Sequence, residues 1–236
     1  MRKTTALVSL LFLYVFSFSQ QLTLEFESGV GTYSMSEMSE IFSKATSDNE
    51  LNPVISSNFP AFFFYRPGFG IKTNRNQAGV SFGIYSTGAR SSIRDFSGAF
   101  KMDILARGYA PIIFDEYQIL KKKSLSTGIR LNLGAIYSTI KTNDFLKVGE
   151  QIIVDQNNEY VSLQFFVIPE IKLNYSLGKN MATTFGVGYH IGITPSPISN
   201  KPDSWIDYLK YADPEYNETS WNGFRVSIGL KYSFKL

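Results

Sequence analysis

The chain of 236 residues carries 23 lysines and arginines against 20 acidic residues, has no cysteine, and is 15% aromatic at a mean hydropathy of −0.07. The lack of cysteine excludes a disulfide scaffold, thiol chemistry and cysteine-based zinc sites. The nearly neutral charge balance gives no electrostatic case for nucleic acid as a partner. Many aromatic residues without overall hydrophobicity are typical of strands with two unlike faces.

The first 19 residues predict a secretory signal peptide. A short basic start precedes an apolar run over 6–18, and Ser17 and Ser19 are small residues placed as at a cleavage site. The run is too short and wrongly flanked for a spanning helix. Residues 20–236 then form one exported domain, and their number suits a single all-β unit.

Eight segments of this domain alternate between large apolar residues and polar or small ones, which predicts β-strands. In TTFGVGYHIGI (183–193) the residues between the apolar ones are three glycines and His190. Pro67 and Pro169 each remove a ladder donor, so we expect bulges there. The predicted strands cover 21–31, 61–72, 78–86, 99–109, 124–138, 160–175, 183–193 and 224–234.

The connections between these strands differ in length. Three are long (34–58, 139–157 and 194–220), two are medium (87–97 and 111–123), and two are short (74–76 and 177–180). Long loops on one rim and tight turns on the other are typical of an outer-membrane barrel, to which 111–123 fits least well. The first long connection contains a capping-box pattern, Ser34 to Glu37, that predicts a helix over 34–45.

Alternating strands suit either a soluble calyx with an apolar interior or a membrane barrel with an apolar exterior. The glycines decide, because glycine on a solvent-facing surface covers nothing. Inside a narrow barrel, Gly186, Gly188 and Gly192 make room for longer side chains. We expect those side chains to include Arg225, Arg130 and Lys101. The sequence therefore predicts an all-β fold, an eight-stranded antiparallel up-and-down transmembrane β-barrel with long extracellular loops, in the cell outer membrane.

The charged residues of the predicted inner faces have both signs. In so narrow a barrel we expect them to form a salt-bridge network that plugs the lumen, although an ion path is the alternative. The predicted lumen network consists of Glu25, Glu27, Arg66, Lys101, Asp103, Arg107, Arg130, Glu170, Lys172, His190, Arg225 and Lys231.

The C-terminal segment SIGLKYSF (227–234) resembles the signal that the barrel-assembly machinery reads, with Ser227, Gly229, Tyr232 and Phe234 at its key positions. The whole domain resembles the small eight-stranded outer-membrane barrels of the OmpA/OmpX type, within the porin family. SFSQQ, GVGTYSMSEM and ARSSIRDFSGAF resemble barrels common in Bacteroidota. This resemblance implies a Gram-negative outer membrane, with its lipid and the assembly machinery as partners.

We expect no enzyme activity and no cofactor or metal site. Some small barrels modify lipid A with a His/Ser pair at the rim. Here the residue two after His190 is Gly192, and His190 is predicted to point inward. A histidine hydrogen-bonded within the lumen is the favoured interpretation.

The connection 194–220 and its edge are rich in aromatic residues, which either bind a partner or ligand or form an interfacial girdle or lid. The leading hypothesis is a monomeric structural or accessory barrel whose outer loops contact a partner, such as another outer-membrane protein, or a ligand. The alternative is a narrow conduit for small or hydrophobic molecules. The loop contact candidates are Trp205, Tyr208, Tyr211, Tyr216 and Trp221.

Overall fold

The computed structural model describes residues 20–47, 53–96, 98–200 and 218–235. The predicted signal peptide (1–19) lies outside these residues. So do four of the loop candidates, Trp205, Tyr208, Tyr211 and Tyr216.

The described residues form one helix and ten strands. No helix among them is long and apolar enough to cross a membrane. In chain order the elements are β1 (Gln20–Gly31), α1 (Ser36–Ser47), β2 (Val54–Asn58), β3 (Phe62–Thr73), β4 (Asn76–Arg94), β5 (Gly98–Lys122), β6 (Leu125–Val148), β7 (Gln151–Ser176), β8 (Met181–Gly192), β9 (Ser199–Asn200) and β10 (Gly223–Lys235).

Eight strands close into a ring in which every pairing is antiparallel. The order is β1, β3, β4, β5, β6, β7, β8 and β10, and β10 pairs with β1 to close the ring. The short strand β2 pairs with the outer part of β4, and β9 pairs with β7. The predicted eight-stranded up-and-down barrel is confirmed.

The register gives the tilt of the strands. Following the residue pairs around the ring from Gln21 leads back to β1 at Gly31, which is a shear of ten residues. Eight strands with this shear tilt by about 40° to the barrel axis. The ring of paired positions runs through Gln21, Lys72, Gln77, Glu116, Arg130, Glu170, Gly188, Arg225 and Gly31.

The outer wall is apolar and the inner wall is polar in the spanning part of the barrel. Phe185, Leu131 and Ile228 are 44%, 45% and 62% exposed, whereas Arg130 and Lys172 are fully buried. Such an apolar exterior faces lipid. The predicted orientation is confirmed for the strands of the ring except β5, apart from Val161 of β7, which was expected on the outer face and is fully buried.

In β5 the predicted faces are wrong at the outer end. Ile104 and Ala106, expected to face lipid, are buried inside, and Arg107, expected inside, is exposed on the outer wall. This part of the strand lies beyond the apolar belt, where the outside meets water and the interior is an apolar core. The polarity rule of the spanning segments therefore reverses.

The predicted connection 111–123 is also wrong. β5 continues to Lys122 and turns tightly into β6 at Lys123, whose φ is 51°. Asn74, with φ of 38°, makes the equivalent turn between β3 and β4. These two turns and the short β7–β8 connection lie on one rim, as in outer-membrane barrels, whose periplasmic turns are short. The predicted loops 87–97 and 139–157 are largely extended strands of long hairpins.

The bulges expected at the two prolines are absent. Pro67 pairs with Phe26 and Pro169 pairs with Leu131 without a change of register on either side. The missing donors interrupt single ladder positions, and the strands continue. Shifts of register occur instead between Ile55 and Ser57, between Gln118 and Leu120, and between Leu146 and Lys147.

An apolar core fills the outer end of the barrel, beneath α1. The helix buries Met38 and Phe42 against this core, and its existence was predicted. The predicted capping box is wrong, because Ser34 Oγ bonds Ser220 and Glu37 Oε2 accepts the backbone N–H of Glu218 at 2.6 Å. Both side chains hold the returning chain before β10. The core around α1 includes Tyr33, Met35, Phe59, Phe64, Tyr85, Ile104, Ile112, Ile136, Ile140, Phe166 and Trp221.

Candidate functional site: the barrel interior

Eight charged side chains meet in the middle of the barrel and form what we call the mid-barrel network. Four are carboxylates and four are cations, so the formal charges balance. Each is less than a tenth exposed. The members are Glu25, Glu27, Glu116, Glu170, Arg66, Arg130, Lys172 and Lys231.

Arg130 lies at the centre of one half of the network. Its two terminal nitrogens donate to Glu25 at 2.6 and 2.8 Å, and Nη2 also donates to Glu116 at 2.6 Å. The guanidinium lies 4.2 Å from the centroid of the Phe114 ring. The planar fork of arginine suits several carboxylate oxygens at once, which a point-like ammonium does not.

Arg66 lies at the centre of the other half. Its Nη2 donates to Glu27 and, at 2.7 Å, to Glu170. Lys172 Nζ donates to Glu27 at 2.6 Å. Arg130 joins the two halves, because its Nη1 also lies 3.4 Å from Glu27. Removal of one partner from such a buried set leaves an uncompensated buried charge, which strongly lowers the free energy of unfolding.

The tight-turn end of the network includes neutral side chains. Lys231 Nζ donates to Gln77 at 2.8 Å and to Glu116 at 3.3 Å. Asn174 Nδ2 donates to the other oxygen of Glu116 at 3.1 Å. Charged and amide groups together donate hydrogen bonds to carboxylate oxygens that would otherwise be buried without a donor.

Gly186 and Gly188 of β8 make room for this network, and Gly192 makes room for Gln164, so the predicted space exists but holds different side chains. A Cβ on Gly186 would lie 2.8 Å from Lys172 Nζ, and one on Gly188 would lie 2.5 Å from Glu170 Cγ. A Cβ on Gly192 would lie 2.3 Å from Gln164 Nε2. The predicted neighbours Arg225, Arg130 and Lys101 are not the atoms nearest these three glycines.

Arg225 and His190 form a separate group nearer the outer end. Arg225 Nη2 donates to the carbonyl of Trp221 at 2.6 Å and lies 3.4 Å from His190 Nδ1. Its guanidinium lies 4.5 Å from the centroid of the Tyr33 ring. The His190 ring packs against Phe166 at 4.3 Å between centroids. Among the described residues no carboxylate lies within 4 Å of either side chain.

Lys101, Asp103 and Arg107 do not belong to the lumen. Asp103 binds Arg90 at 2.8 Å and Lys101 at 2.6 Å on the exposed side of the β4–β5 hairpin. Partial burial raises the pKa of Asp103, but the hydrogen bonds from Arg90 and Lys101 outweigh it and hold the pKa below its ordinary value. On β6, burial raises the pKa of Asp144.

Trp221 is wrong as a loop contact candidate. Its side chain is fully buried in the outer core, and Nε1 donates to Ser138 Oγ at 2.8 Å. Its ring meets Tyr33 edge-on at 5.1 Å. The side chain therefore belongs to the apolar core at the outer end of the barrel.

The sequence analysis missed Glu116, a full member of the network, because it ended the strand before Pro111. The alternation continues past that proline: Ile112, Phe114, Glu116 and Gln118 are all buried on one face. That continued period was the available signal.

The long hairpins extend beyond the membrane belt. Tyr109 and Tyr137 pair across β5 and β6 on the outer wall, at the position of an aromatic girdle. Beyond them the outward residues become polar, with Arg107 and Lys141 among them. From Tyr137 to the end of β6 the strand continues for about 36 Å. We call this extension of β5, β6 and β7 the outer sheet.

The residues of the proposed assembly signal lie on β10, the last strand of the ring. Tyr232 and Phe234 face outward with ring centroids 4.6 Å apart, and Ser227 and Gly229 face inward. Their recognition by the assembly machinery stays a prediction. Within the described ranges no group of three or more His, Cys, Asp or Glu side chains is placed to hold a metal ion.

Comparison with known proteins finds the fold among solved outer-membrane proteins. A major outer membrane protein from Thermus thermophilus aligns with a TM-score of 0.56 at 10% identity, covering 91% of this chain and 99% of that one. Ail, the attachment invasion locus protein of Yersinia pestis, aligns in complex with the heparin analogue sucrose octasulfate, with a TM-score of 0.42 at 10% identity, covering 92% and 99%. Neisserial surface protein A aligns with a TM-score of 0.35 at 10% identity, covering 91% and 97%.

No protein-family model matches the sequence. No curated protein matches it either. The fold and its place in the cell therefore depend on the closed ring, the apolar outer wall and the structural likeness together. The protein is an outer-membrane β-barrel and lies in the cell outer membrane.

Proposed function

We propose that this protein is a non-enzymatic structural or accessory barrel whose lumen is closed to ions and whose outer loops contact a partner. The observation that carries the proposal is the mid-barrel network. Its eight side chains come from six strands (β1, β3, β5, β6, β7 and β10). In an eight-stranded barrel the interior is only wide enough for side chains to fill it.

Two layers support closure. The balanced charges of the network bind one another at distances of up to 3.7 Å, so none needs a mobile ion as its counter-charge. Above them lies the apolar core with Phe64, Tyr85 and Trp221, which offers a hydrated ion no polar path.

The outer sheet supports a role in contact with a partner. Val148, Ile152 and Ile153, at the tip of the β6–β7 hairpin, are 54%, 59% and 57% exposed. Apolar residues at the end of a projecting hairpin lie beyond the reach of the membrane belt, and clusters of this kind mark contact surfaces. Another outer-membrane protein is the partner that this location favours.

The closed lumen is tested by conductance in planar bilayers. We expect the folded protein to pass no steady current, and Glu25→Ala/Arg130→Ala/Trp221→Ala to admit a small one because it removes side chains from both closing layers. Arg90→Ala/Asp103→Ala removes an exposed pair and serves as the control, which should leave the barrel closed. A steady open channel in the unaltered protein would favour the conduit instead.

The partner role is tested by site-specific photo-crosslinking in intact cells. A photoreactive residue at Ile152 should give a discrete adduct with an outer-membrane protein, whereas one at Ile113, on the lipid-facing wall, should give none. Replacement of Val148 and Ile153 by serine should weaken the adduct. The same pattern of adducts from both positions would contradict the proposal.

A further inference from the structure

A polar cavity opens at the tight-turn end of the barrel, which is the periplasmic end. Its volume is about 200 Å³, against roughly 10–15 Å³ needed to hold one water molecule by the same measure. We call it the periplasmic vestibule. It lies between the tight turns and the mid-barrel network, and its lining includes Lys72, Arg75, Glu116, Lys121, Lys179 and Lys231.

The charge of the vestibule is strongly one-sided. Five of its lining side chains are cationic, and Glu116 is its one carboxylate among the described residues. Glu116 already accepts hydrogen bonds from Arg130, Lys231 and Asn174. It therefore has little capacity left to neutralise the other cations.

Among the described residues, four of these cations lack an ion-pair partner. No carboxylate in the described part of the chain lies within 4 Å of Lys72, Arg75, Lys121 or Lys179. Lys72 gives the strongest support for an anion site, because its strand position turns it inward and its side chain is half-buried without a counter-charge among the described residues. Cations gathered in a concave site with low-dielectric walls focus a positive potential, which attracts anions.

Neutral donors complete the lining. Gln21, Gln118, Asn180 and Ser233 surround the same space and add amide and hydroxyl groups. Ammonium and guanidinium groups together with amides suit an anion that has several oxygens, as in charge-assisted phosphate binding. A single carboxylate would leave most of these donors unused.

The inner end of the vestibule is closed by Glu116 and Lys231, which belong to the mid-barrel network. A ligand therefore enters and leaves from the periplasmic side. The vestibule is a binding pocket and not the entrance to a path.

We propose that the periplasmic vestibule binds a phosphate-bearing anion. Two sources share this chemistry: a free phosphate or diphosphate group in the periplasm, and the headgroup of an anionic phospholipid in the inner leaflet. The position of Lys121 and Lys179 beside the tight turns places them at the height of those headgroups.

The test uses the folded full-length barrel and inorganic pyrophosphate as the probe, by titration calorimetry in a neutral detergent. Lys72→Gln/Lys121→Gln should weaken binding about tenfold or more, since each lost charged hydrogen bond costs about that factor. Lys122→Gln is the matched control, because Lys122 is adjacent to Lys121 but does not line the vestibule, and its affinity should be unchanged. Heat-modifiable gel migration checks that each variant is folded.

A second arm separates the two sources. The barrel is placed in nanodiscs of phosphatidylcholine, with or without phosphatidylglycerol, and the acetylation rate of Lys72 is measured by mass spectrometry. Protection by phosphatidylglycerol without pyrophosphate binding assigns the site to the headgroup, and pyrophosphate binding assigns it to the free anion. Absence of both effects, or equal binding by the double variant, would overturn the proposal.

Discussion

Lys172 on β7 and Gly186 on β8 are partners in the ladder, and the ammonium of the lysine occupies the space where a side chain of residue 186 would be. The glycine-containing face of β8 thus leaves space for charged side chains of the neighbouring strand β7. The same relationship holds between Glu170 and Gly188. It explains why glycines alternate with bulky residues in this strand.

The first prediction concerns the space that the glycines of β8 leave for these side chains. Gly188→Ala should lower the free energy of unfolding by about 1–3 kcal/mol, because the added Cβ would overlap Glu170 Cγ and the carbonyl oxygen of Pro169. Urea unfolding in detergent measures the change. Gly178→Ala is the control: no atom lies within 4 Å of its new Cβ, and its stability should not change. Equal effects at both positions would contradict the role of β8.

The second prediction concerns the centre of the network. Arg130→Met should cost about 3–5 kcal/mol of unfolding free energy, because it leaves Glu25 and Glu116 buried with reduced compensation. Adding Glu25→Gln and Glu116→Gln should recover part of the loss, since the unbalanced charges are then removed. A triple variant no more stable than the single one would show that the lost packing of Arg130 dominates.

The third prediction concerns two carboxyl groups on the outer hairpins. Asp103 should titrate below and Asp144 above the ordinary aspartate range, as carbon-detected NMR of the carboxyl groups would measure. The ion pairs of Asp103 stabilise the hairpin at neutral pH, and this stability is lost as pH falls through its lowered pKa. Asp144 behaves oppositely, because protonation as pH falls through its raised pKa favours the folded state.

The Asp103 ion pairs are partly exposed, so their contribution is small. Asp103→Asn should reduce stability by less than about 1 kcal/mol, in contrast to the buried network. A loss as large as that of Arg130→Met would show that the hairpin is not a solvent-facing element.

The fourth prediction concerns Trp221. In a Trp205→Phe background, which leaves Trp221 as the one tryptophan, emission should be blue-shifted and resist quenching by acrylamide because the ring is fully buried. Ser138→Ala should cost about 0.5–1.5 kcal/mol by removing the acceptor of the indole N–H. Solvent-exposed emission would contradict the burial of Trp221 in the outer core.

The fifth prediction concerns assembly. Phe234→Ala should reduce the yield of folded protein in the membrane, since this residue ends the proposed assembly signal and packs against Tyr232. Phe224→Ala removes an equally outward aromatic residue of the same strand outside the signal, and should assemble normally. Immunoblots of unboiled membrane samples separate folded from unfolded chains.

Sequence reasoning predicted most of the barrel because a strand has a period of two, so a few apolar residues determine which face each neighbour occupies. This was sufficient wherever the outside is lipid. It failed at Ile104 and Arg107, because the sequence does not indicate where the lipid ends. It also failed at Pro111, where a residue that cannot donate was taken as the end of a strand that continues.

The composition of the network could be predicted in part, but its pairings could not. Glu25 and Arg130 are 105 residues apart, and their contact depends on a register that accumulates around the ring. Each face could be assigned from local spacing, whereas partners across the lumen require the shear. Lys101 and Arg107 were grouped with the network for the other reason, because they lie on the outer end of β5, where the two faces are reversed.

Closure of the ring has a consequence for biogenesis. The first and last strands of the ring pair over eleven positions, so the cylinder is incomplete until β10 has arrived. Three of the groups that neutralise Glu25 and Glu27, namely Arg130, Lys172 and Lys231, belong to segments more than 100 residues downstream, so the two acids have all their partners only when the ring has formed. Full neutralisation of these acids and closure of the ring thus coincide, and a chain cut before β10 would leave the acids without all of their partners rather than form a smaller barrel.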